Sequence, residues 1–404
     1  MTRLVLPIVL GCLMLSSSPF LCAQEPGSIQ ARPLFNGVDL TGWVRVNTPE
    51  ETWSVQEGML VCSGKPIGEL RTDRMYQNFV LEVEWRHLVA GGNAGIFLWS
   101  DDITARGQPF HRGIEVQVLE HAYGNTDSYT THGDIFPIHG AKMVPRNGRG
   151  GDRAFPTESR ALPSPQWNHY RITCQDGSVA LEVNGKEVTR GDQCSPRKGY
   201  ICLESEGGVV HYRNLKIQEL PDTPVEPHMV AIADRGFQSL YSGLDLRGWK
   251  QAVGSGLWKP SDWVLRFEGQ ADQSESLITE RMFEPGRWIC DFQLPEADSQ
   301  LRWQWGDDES PIFRIATDLP EVTAALVKPG AWNRLEVAAS DDQIVAWING
   351  KEVVRQPAKI DRPFPWKLLP RGKVSLANLY YSERTGSLDA TATRGPVSFQ
   401  TGRN

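Results

Sequence analysis

The chain has 404 residues, too many for one ordinary hydrophobic core and suited to two domains of about 150–200 residues each. Hydrophobic residues at 40% and charged residues at 23% are ordinary for a folded chain and argue against wholesale disorder. A net charge of −7 argues against nucleic acid or an anionic membrane as partner, since both attract basic proteins, and leaves neutral ligands such as sugars open.

Residues 1–23 read as a signal peptide. Arg3 supplies the positive start, Leu4 to Leu15 form a short apolar run, and Ser16 to Ala23 are small or turn-forming. The run is shorter than the roughly 20 residues of a membrane helix, and no later stretch is long or apolar enough, so no transmembrane segment is expected. An exported protein, periplasmic or extracellular, follows as the expectation. Cys22 raises a lipoprotein reading, but Leu21 is bulky where a lipidation motif wants a small residue. Beyond it lie Cys62, Cys174, Cys194, Cys202 and Cys290, with no zinc-type spacing, so buried small hydrophobes with at most one disulfide are expected.

The chain repeats itself. Leu34-Phe-Asn-Gly-Val-Asp-Leu-Thr-Gly-Trp43 recurs as Leu240-Tyr-Ser-Gly-Leu-Asp-Leu-Arg-Gly-Trp249. Trp167-Asn168 with Val183-Asn-Gly-Lys-Glu-Val188 recurs as Trp332-Asn333 with Ile348-Asn-Gly-Lys-Glu-Val353. The offset falls from 206 (240 against 34) to 165 (332 against 167), so the second copy lacks 41 residues. Ordered self-similarity of this kind means a duplicated domain. The copies are placed at 33–220 and 236–384, joined by a linker at 221–235 whose prolines stop regular structure, with a tail at 385–404.

Both copies read as strands. Phe79, Leu81, Val83 and Trp85 alternate with Val80, Glu82, Glu84 and Arg86, the period of a half-buried strand. Asn184-Gly185 and Asn349-Gly350 predict tight hairpin turns, because both residues tolerate positive φ. No window shows a helical period. Many short strands with Gly, Asn and Asp turns give an all-β pair of sandwiches or jelly rolls in tandem.

The histidines are uneven. All eight lie at or before His228, and His111, His121, His132 and His139 crowd between Phe110 and Gly140, overlapping much of what the second copy lacks. Histidine suits proton transfer near neutral pH and ligates metals. The strand Ile114-Glu-Val-Gln-Val-Leu-Glu120 puts Glu115 and Gln117 on one face, either a ligand floor or a solvated outer face. The following loop holds His132, Asp134, His139 and Lys142. A divalent metal on His132, His139 and Glu115 is a candidate, although no short-range metal motif is present. Asn93 and Arg71 can meet a sugar hydroxyl, or serve a turn and solvent. Glu204 and Glu206 share a strand face and are carboxylate partners or surface charges, and Asn378 of the second copy is aligned with Glu206. Tryptophans of either copy can stack on sugars, with core packing the default. No nucleophile elbow, phosphate loop or dinucleotide fingerprint occurs, so no nucleotide or organic cofactor is indicated.

Leu34-Phe-Asn-Gly-x-Asp-Leu-x-Gly-Trp43, Trp53-Ser-Val-x-x-Gly58, Gly91-Gly-Asn-x-Gly95, Glu115-Val-Gln117, Cys194-Ser-Pro-Arg-Lys-Gly199 and Leu203-Glu-Ser-Glu-Gly207 resemble the 3-keto-disaccharide hydrolase family, also described as 3-keto-glucoside 1,2-lyases and hydratases. The resemblance spans about residues 33–220 and implies concanavalin A-like jelly rolls. It also implies an enzyme that cleaves 3-keto-glycosides by elimination and hydration, with a carbohydrate as partner. On that reading His132 or His139 is base or acid, Asp134 and Glu115 join them, and a metal held by histidines and Glu115 polarises the ketone. Gln117, Asn93, Lys142, Arg71, Glu204 and Glu206 contact substrate. The second copy matches only the opening and the Trp-Asn and Asn-Gly-Lys elements. A non-catalytic carbohydrate-binding sandwich and a structural exported protein are the other two classes.

Overall fold

The structure is a computed structural model and describes residues 30–305, 312–328, 330–360 and 362–383. The leader at 1–23 and the tail at 385–404 lie outside the described residues. The described residues are nearly all β, and every strand ladder among them is antiparallel. A nine-stranded and a six-stranded sheet make the first sandwich, and an eight-stranded and a five-stranded sheet make the second.

The alternation read in Phe79–His87 has the expected result. Phe79, Leu81, Val83 and Trp85 are buried in a core shared with Ile96, Leu98, Ile114 and Val116 of the facing sheet. Glu82 and Glu84 lie on the outer face and pair there with Arg171 and Arg213. Burying each large apolar side chain contributes about 1.5–3 kcal/mol, so this period is what holds the two sheets together. Asn184 (φ 48°) and Gly185 (φ 83°) turn the first hairpin, and Asn349 (φ 51°) and Gly350 (φ 81°) turn its counterpart. Both central residues at positive φ give the primed turn that matches strand twist. The five cysteines at 62–290 are all buried and unbridged.

The 41-residue difference falls in one place. Between Phe79–His87 and Asn168–Gln175 the first sandwich has the strands Gly95–Ser100, Gly113–Val118, His132–Ile138 and Lys142–Pro145. At the same point the second has, among the described residues, Gln300–Trp305, Ile312–Ala316 and the short helix Pro320–Ala325. Its small sheet therefore has five strands where the first has six.

The linker is tied down more than its prolines suggest. It forms one 3-10 turn at Pro227–Met229, and Ala231 N–H donates to Lys198 O at 2.7 Å. Ile232 N–H donates to Asp101, and Arg235 forms a two-pronged pair with Asp102. The second sandwich then sets the outer face of its large sheet against the 104–108 turn of the first. Asp291, with no exposed surface, accepts from Arg334 Nε (2.7 Å), Arg334 Nη2 (2.8 Å) and Gly107 N–H (2.8 Å).

Asn378 joins this interface and corrects its sequence alignment. It sits at positive φ (53°) on the Lys373–Ser382 strand, where the first copy has Asn214 (φ 52°) on Val210–Glu219. Its counterpart is thus Asn214 and not Glu206. Its amide donates to Asp291 Oδ2 at 2.7 Å and to the carbonyls of Ala105 and Gln108.

Candidate functional site

Strand alternation sorts the six-stranded sheet into two faces. Leu70, Ile96, Ile114, Val116 and Leu203 point into the core. The opposite set is Glu69, Gly95, Phe97, Glu115, Gln117, Cys202 and Glu204, and the registers bring these together. Glu204 lies opposite Glu69, Cys202 opposite Phe97, Phe97 opposite Glu115, and Gly95 opposite Gln117. This face is covered. Glu115 and Gln117 are each 6% exposed, so they form a floor and not a solvated surface.

Glu115 and Glu204 converge over Gly95. A Cβ at residue 95 would stand 2.9 Å from an oxygen of each, which is why the position is glycine. Glu206, at the end of the Tyr200–Ser205 strand, accepts a short hydrogen bond from the Asn93 amide. Asn93 Oδ1 in turn accepts from Gln117 Nε2 at 3.1 Å. Arg153 reaches Asp134 at 2.9 Å and Gln117 at 3.5 Å, and its guanidinium lies 3.5 Å from the centre of the Phe136 ring. Thr130 also donates to Asp134 through its backbone and hydroxyl. Glu206, Asn93, Gln117, Arg153 and Asp134 therefore form one continuous hydrogen-bonded chain, with Glu115 and Glu204 beside it.

Burial dominates the electrostatics. Loss of water, reinforced by Glu206, pushes Glu115 up to about 8. Burial likewise pushes Glu206 up to about 7, against hydrogen bonds from Glu204 and Asn93 that pull it down. Glu204 rises well above the ordinary range through burial and then the charges of Glu115 and Glu206, and it donates to Glu206. Near neutral pH this trio holds both an acid and a base.

Glu206 opens the trio to a cleft of about 250 Å³ lined by Val89 to Asn93, Tyr123 and Glu206 to Gly208, with Glu115 and Glu204 buried behind it. Gly92 and Gly208 approach closely: a Cβ on Gly208 would meet Gly92 Cα at 2.8 Å. Tyr123 is 44% exposed at the rim and packs edge-on to Tyr129. An aromatic rim over amide and carboxyl groups suits a sugar, which presents an apolar C–H face and a ring of hydroxyls.

The histidines stand elsewhere. His132 and His139 belong to the same region, but His132–Ile138 is an extended strand and His139 (φ 51°) follows it. A strand rises about 3.3 Å per residue, so the two lie roughly 20 Å apart and cannot hold one ion. Gly133 and Pro137 break the alternation that would have revealed this strand in the sequence. His132 stacks on His121 (ring centres 5.1 Å apart), accepts from Ala161 N–H at 3.2 Å, and is pushed down to about 4 by burial. Burial also pushes His139 down to about 4. The expected set His132, His139 and Glu115 therefore does not fit a metal. The one group of three or more His, Cys, Asp or Glu donors within metal reach, among the described residues, is Glu69, His111 and Cys202.

Other expected contacts separate from the cleft as well. Lys142 is exposed on Lys142–Pro145, a strand of the large sheet. Arg71 is buried, donates to Thr72 O at 2.9 Å and lies 4.1 Å from the centre of the Tyr200 ring, beside Asp234 of the linker. Asp134 holds Arg153. Arg153 and Tyr123 were not singled out in the sequence. Their only signal was position, since both lie in the stretch that the second copy lacks.

Among the described residues the second sandwich has no such trio at the corresponding positions. Ile201 N–H donates to Thr72 Oγ1, and Trp366 N–H makes the same bond to Thr279 Oγ1, which fixes the correspondence. Leu369 then stands for Glu204, and the register of the Ile312–Ala316 strand puts Ile312 where Glu115 is.

Residues 30–218 match the family model described as 3-keto-alpha-glucoside-1,2-lyase-like domain, which makes the first domain carbohydrate-active. No curated protein matches the chain. Among solved structures, a putative glycosyl hydrolase from Parabacteroides distasonis is 22% identical over 47% of this chain and 94% of its own, with a TM-score of 0.37. Carbohydrate-binding module CBM66 from Bacillus subtilis is 11% identical over 44% and 96%, TM-score 0.32. A Bacillus licheniformis β-glucanase is 16% identical over 49% and 100%, TM-score 0.32.

Proposed function

We propose, on the match of residues 30–218 to the 3-keto-alpha-glucoside-1,2-lyase-like model, that the protein cleaves 3-keto-glycosides by elimination followed by hydration. The observation that carries the proposal is the buried trio Glu115, Glu204 and Glu206, all raised above the ordinary carboxylate range, with Glu206 lining a cleft.

A ketone at C3 acidifies the hydrogen on C2. Glu206, at the cleft and lowest of the three, takes that proton, and the electron pair passes to O3 as an enolate. The enolate collapses to a C1–C2 double bond as the glycosidic oxygen leaves C1, and Glu115 gives that oxygen its proton. Water then adds, hydroxyl to C1 and hydrogen to C2, so the net result is hydrolysis. Glu204 keeps a proton directed at Glu206 and sets its basicity. Arg153 is the cation acting on Glu115 and can stabilise the enolate oxygen, while Asn93 and Gln117 orient substrate hydroxyls. Dry surroundings strengthen each of these interactions.

Export rests on residues 1–23, and the second sandwich acts as a support docked on the 104–108 turn of the first. The mechanism is tested by running the reaction in D2O with a 3-keto-glucoside. Elimination and hydration put deuterium on C2 of the released sugar. Cleavage that leaves C2 unlabelled, after correction for spontaneous exchange, rules out this route.

A further inference from the structure

Glu69, His111 and Cys202 form a cluster that the proposed reaction does not use. Glu69 and Cys202 come from neighbouring strands of the six-stranded sheet, on its outward face. His111 comes from the hairpin that folds over that face, where it pairs with Thr104. His111 Nδ1 touches Glu69 Oε2 and lies 3.8 Å from the Cys202 sulfur, and one donor atom from each residue falls within 4.8 Å of the others. All three residues are 0% exposed.

A plain hydrogen bond between Glu69 and His111 accounts for this cluster poorly. It leaves Glu69 Oε1 buried with no partner, and it leaves a carboxylate charge in a site without water. A divalent cation removes the charge problem. One carboxylate, one thiolate and one neutral imidazole around a 2+ ion sum to zero, the balance a wholly buried site needs. The mixed oxygen, nitrogen and sulfur donors suit a borderline ion that accepts tetrahedral geometry; Glu69 can offer its unpartnered Oε1 as well as Oε2 to complete four donors, and the sulfur–nitrogen separation of 3.8 Å is near the roughly 3.6 Å edge of such a tetrahedron.

We propose that Glu69, His111 and Cys202 bind a structural zinc ion that pins the 104–111 hairpin to the sheet. The hairpin is also the seat of the second sandwich: Thr104 donates to Asn378 at 2.7 Å and meets Tyr380 at 2.9 Å. The ion thus ties the strand face of one sandwich to the docking surface of the other. Because no ligand is exposed, the metal enters as the chain folds and leaves only when it opens.

The test is metal content and cobalt spectroscopy on the full chain, unfolded with chelator and refolded with Zn2+ or Co2+. The expected result is one zinc per chain, and with Co2+ a near-ultraviolet thiolate-to-cobalt band with the visible bands of a tetrahedral site. Cys202→Ser should abolish the thiolate band, whereas Cys62→Ser and His132→Ala should keep it. If Cys202→Ser fails to fold, Glu69→Gln replaces it, and a folded E69Q should bind zinc at least about tenfold more weakly. Folded wild-type protein without zinc above background would overturn the proposal, as would an unchanged cobalt spectrum in C202S or unchanged affinity in E69Q.

Discussion

Replacing Asp291 by alanine probes whether one buried ion pair of the second sandwich anchors its contact with the first. Asp291 has no exposed surface, and Arg334 pairs with it through two nitrogens at 2.7 and 2.8 Å. Gly107 N–H and the Asn378 amide donate to the same carboxylate. Alanine leaves the guanidinium and both other donors without their acceptor. Breaking a buried pair on one side costs about 3–5 kcal/mol. At roughly 2–4 °C per kcal/mol for domains of this size, the transition should fall by about 6–20 °C. The duplication supplies its own control. Asn168 pairs with Trp85 and Asn333 with Phe292, so Glu84 is the first sandwich's counterpart of Asp291. Its pair with Arg213 is partly exposed, with side chains 25% and 40% accessible, and such pairs contribute about 0–1 kcal/mol. Urea titration followed by circular dichroism and tryptophan fluorescence should therefore separate D291A from E84A by at least about 2 kcal/mol. A loss below about 1 kcal/mol in D291A, or equal losses in the two variants, would refute this reasoning.

Three further outcomes follow from the carboxyl trio. Activity against pH should form a narrow bell, rising as Glu206 ionises through about 7 and falling as Glu115 loses its proton through about 8; a plateau extending to pH 5 would exclude Glu206 as the base. Carboxyls held above their usual value near 4.5 bind protons in the fold that the unfolded chain has released. Stability should then drop as pH rises from about 4.5 toward 8, and Glu115→Gln should remove part of that drop while matching wild type at pH 4 in denaturant titrations. Gly95→Ala places a methyl 2.9 Å from both Glu115 and Glu204, so it should cut turnover about 10²-fold with native circular dichroism; full activity would show that the two carboxyls are not held as described.

Much of the fold was legible because its signals are local. Phe79 to Trp85 alternate within one strand, and Asn184-Gly185 and Asn349-Gly350 turn their hairpins through their own backbone freedom. The duplication was readable from the paired motifs, and its 41-residue gap marked the segment that carries Arg153 and Tyr123. The site was legible in pieces only. Glu115, Glu204, Glu206, Asn93 and Gln117 each stood out, but Glu115 and Glu204 meet through the order Tyr200–Ser205, Gly95–Ser100, Gly113–Val118, which no local pattern encodes. The histidines drew attention by clustering in sequence. An extended strand then carried His132 and His139 apart, and a hairpin delivered His111, not emphasised among them, to Glu69 and Cys202. Asn378 was misaligned because a positive-φ position in a bulge of an interior strand has no sequence mark beyond Asn itself.

The most direct measurement is aglycone release by wild type and Glu206→Gln from a 3-keto-glucoside, with the unoxidised glucoside run in parallel. The account predicts release by wild type from the keto sugar alone, and a loss of about 10²–10⁴-fold in E206Q at unchanged fold. Equal release from both sugars would show that the ketone is not needed, and full activity in E206Q would remove the carboxyl trio from the chemistry.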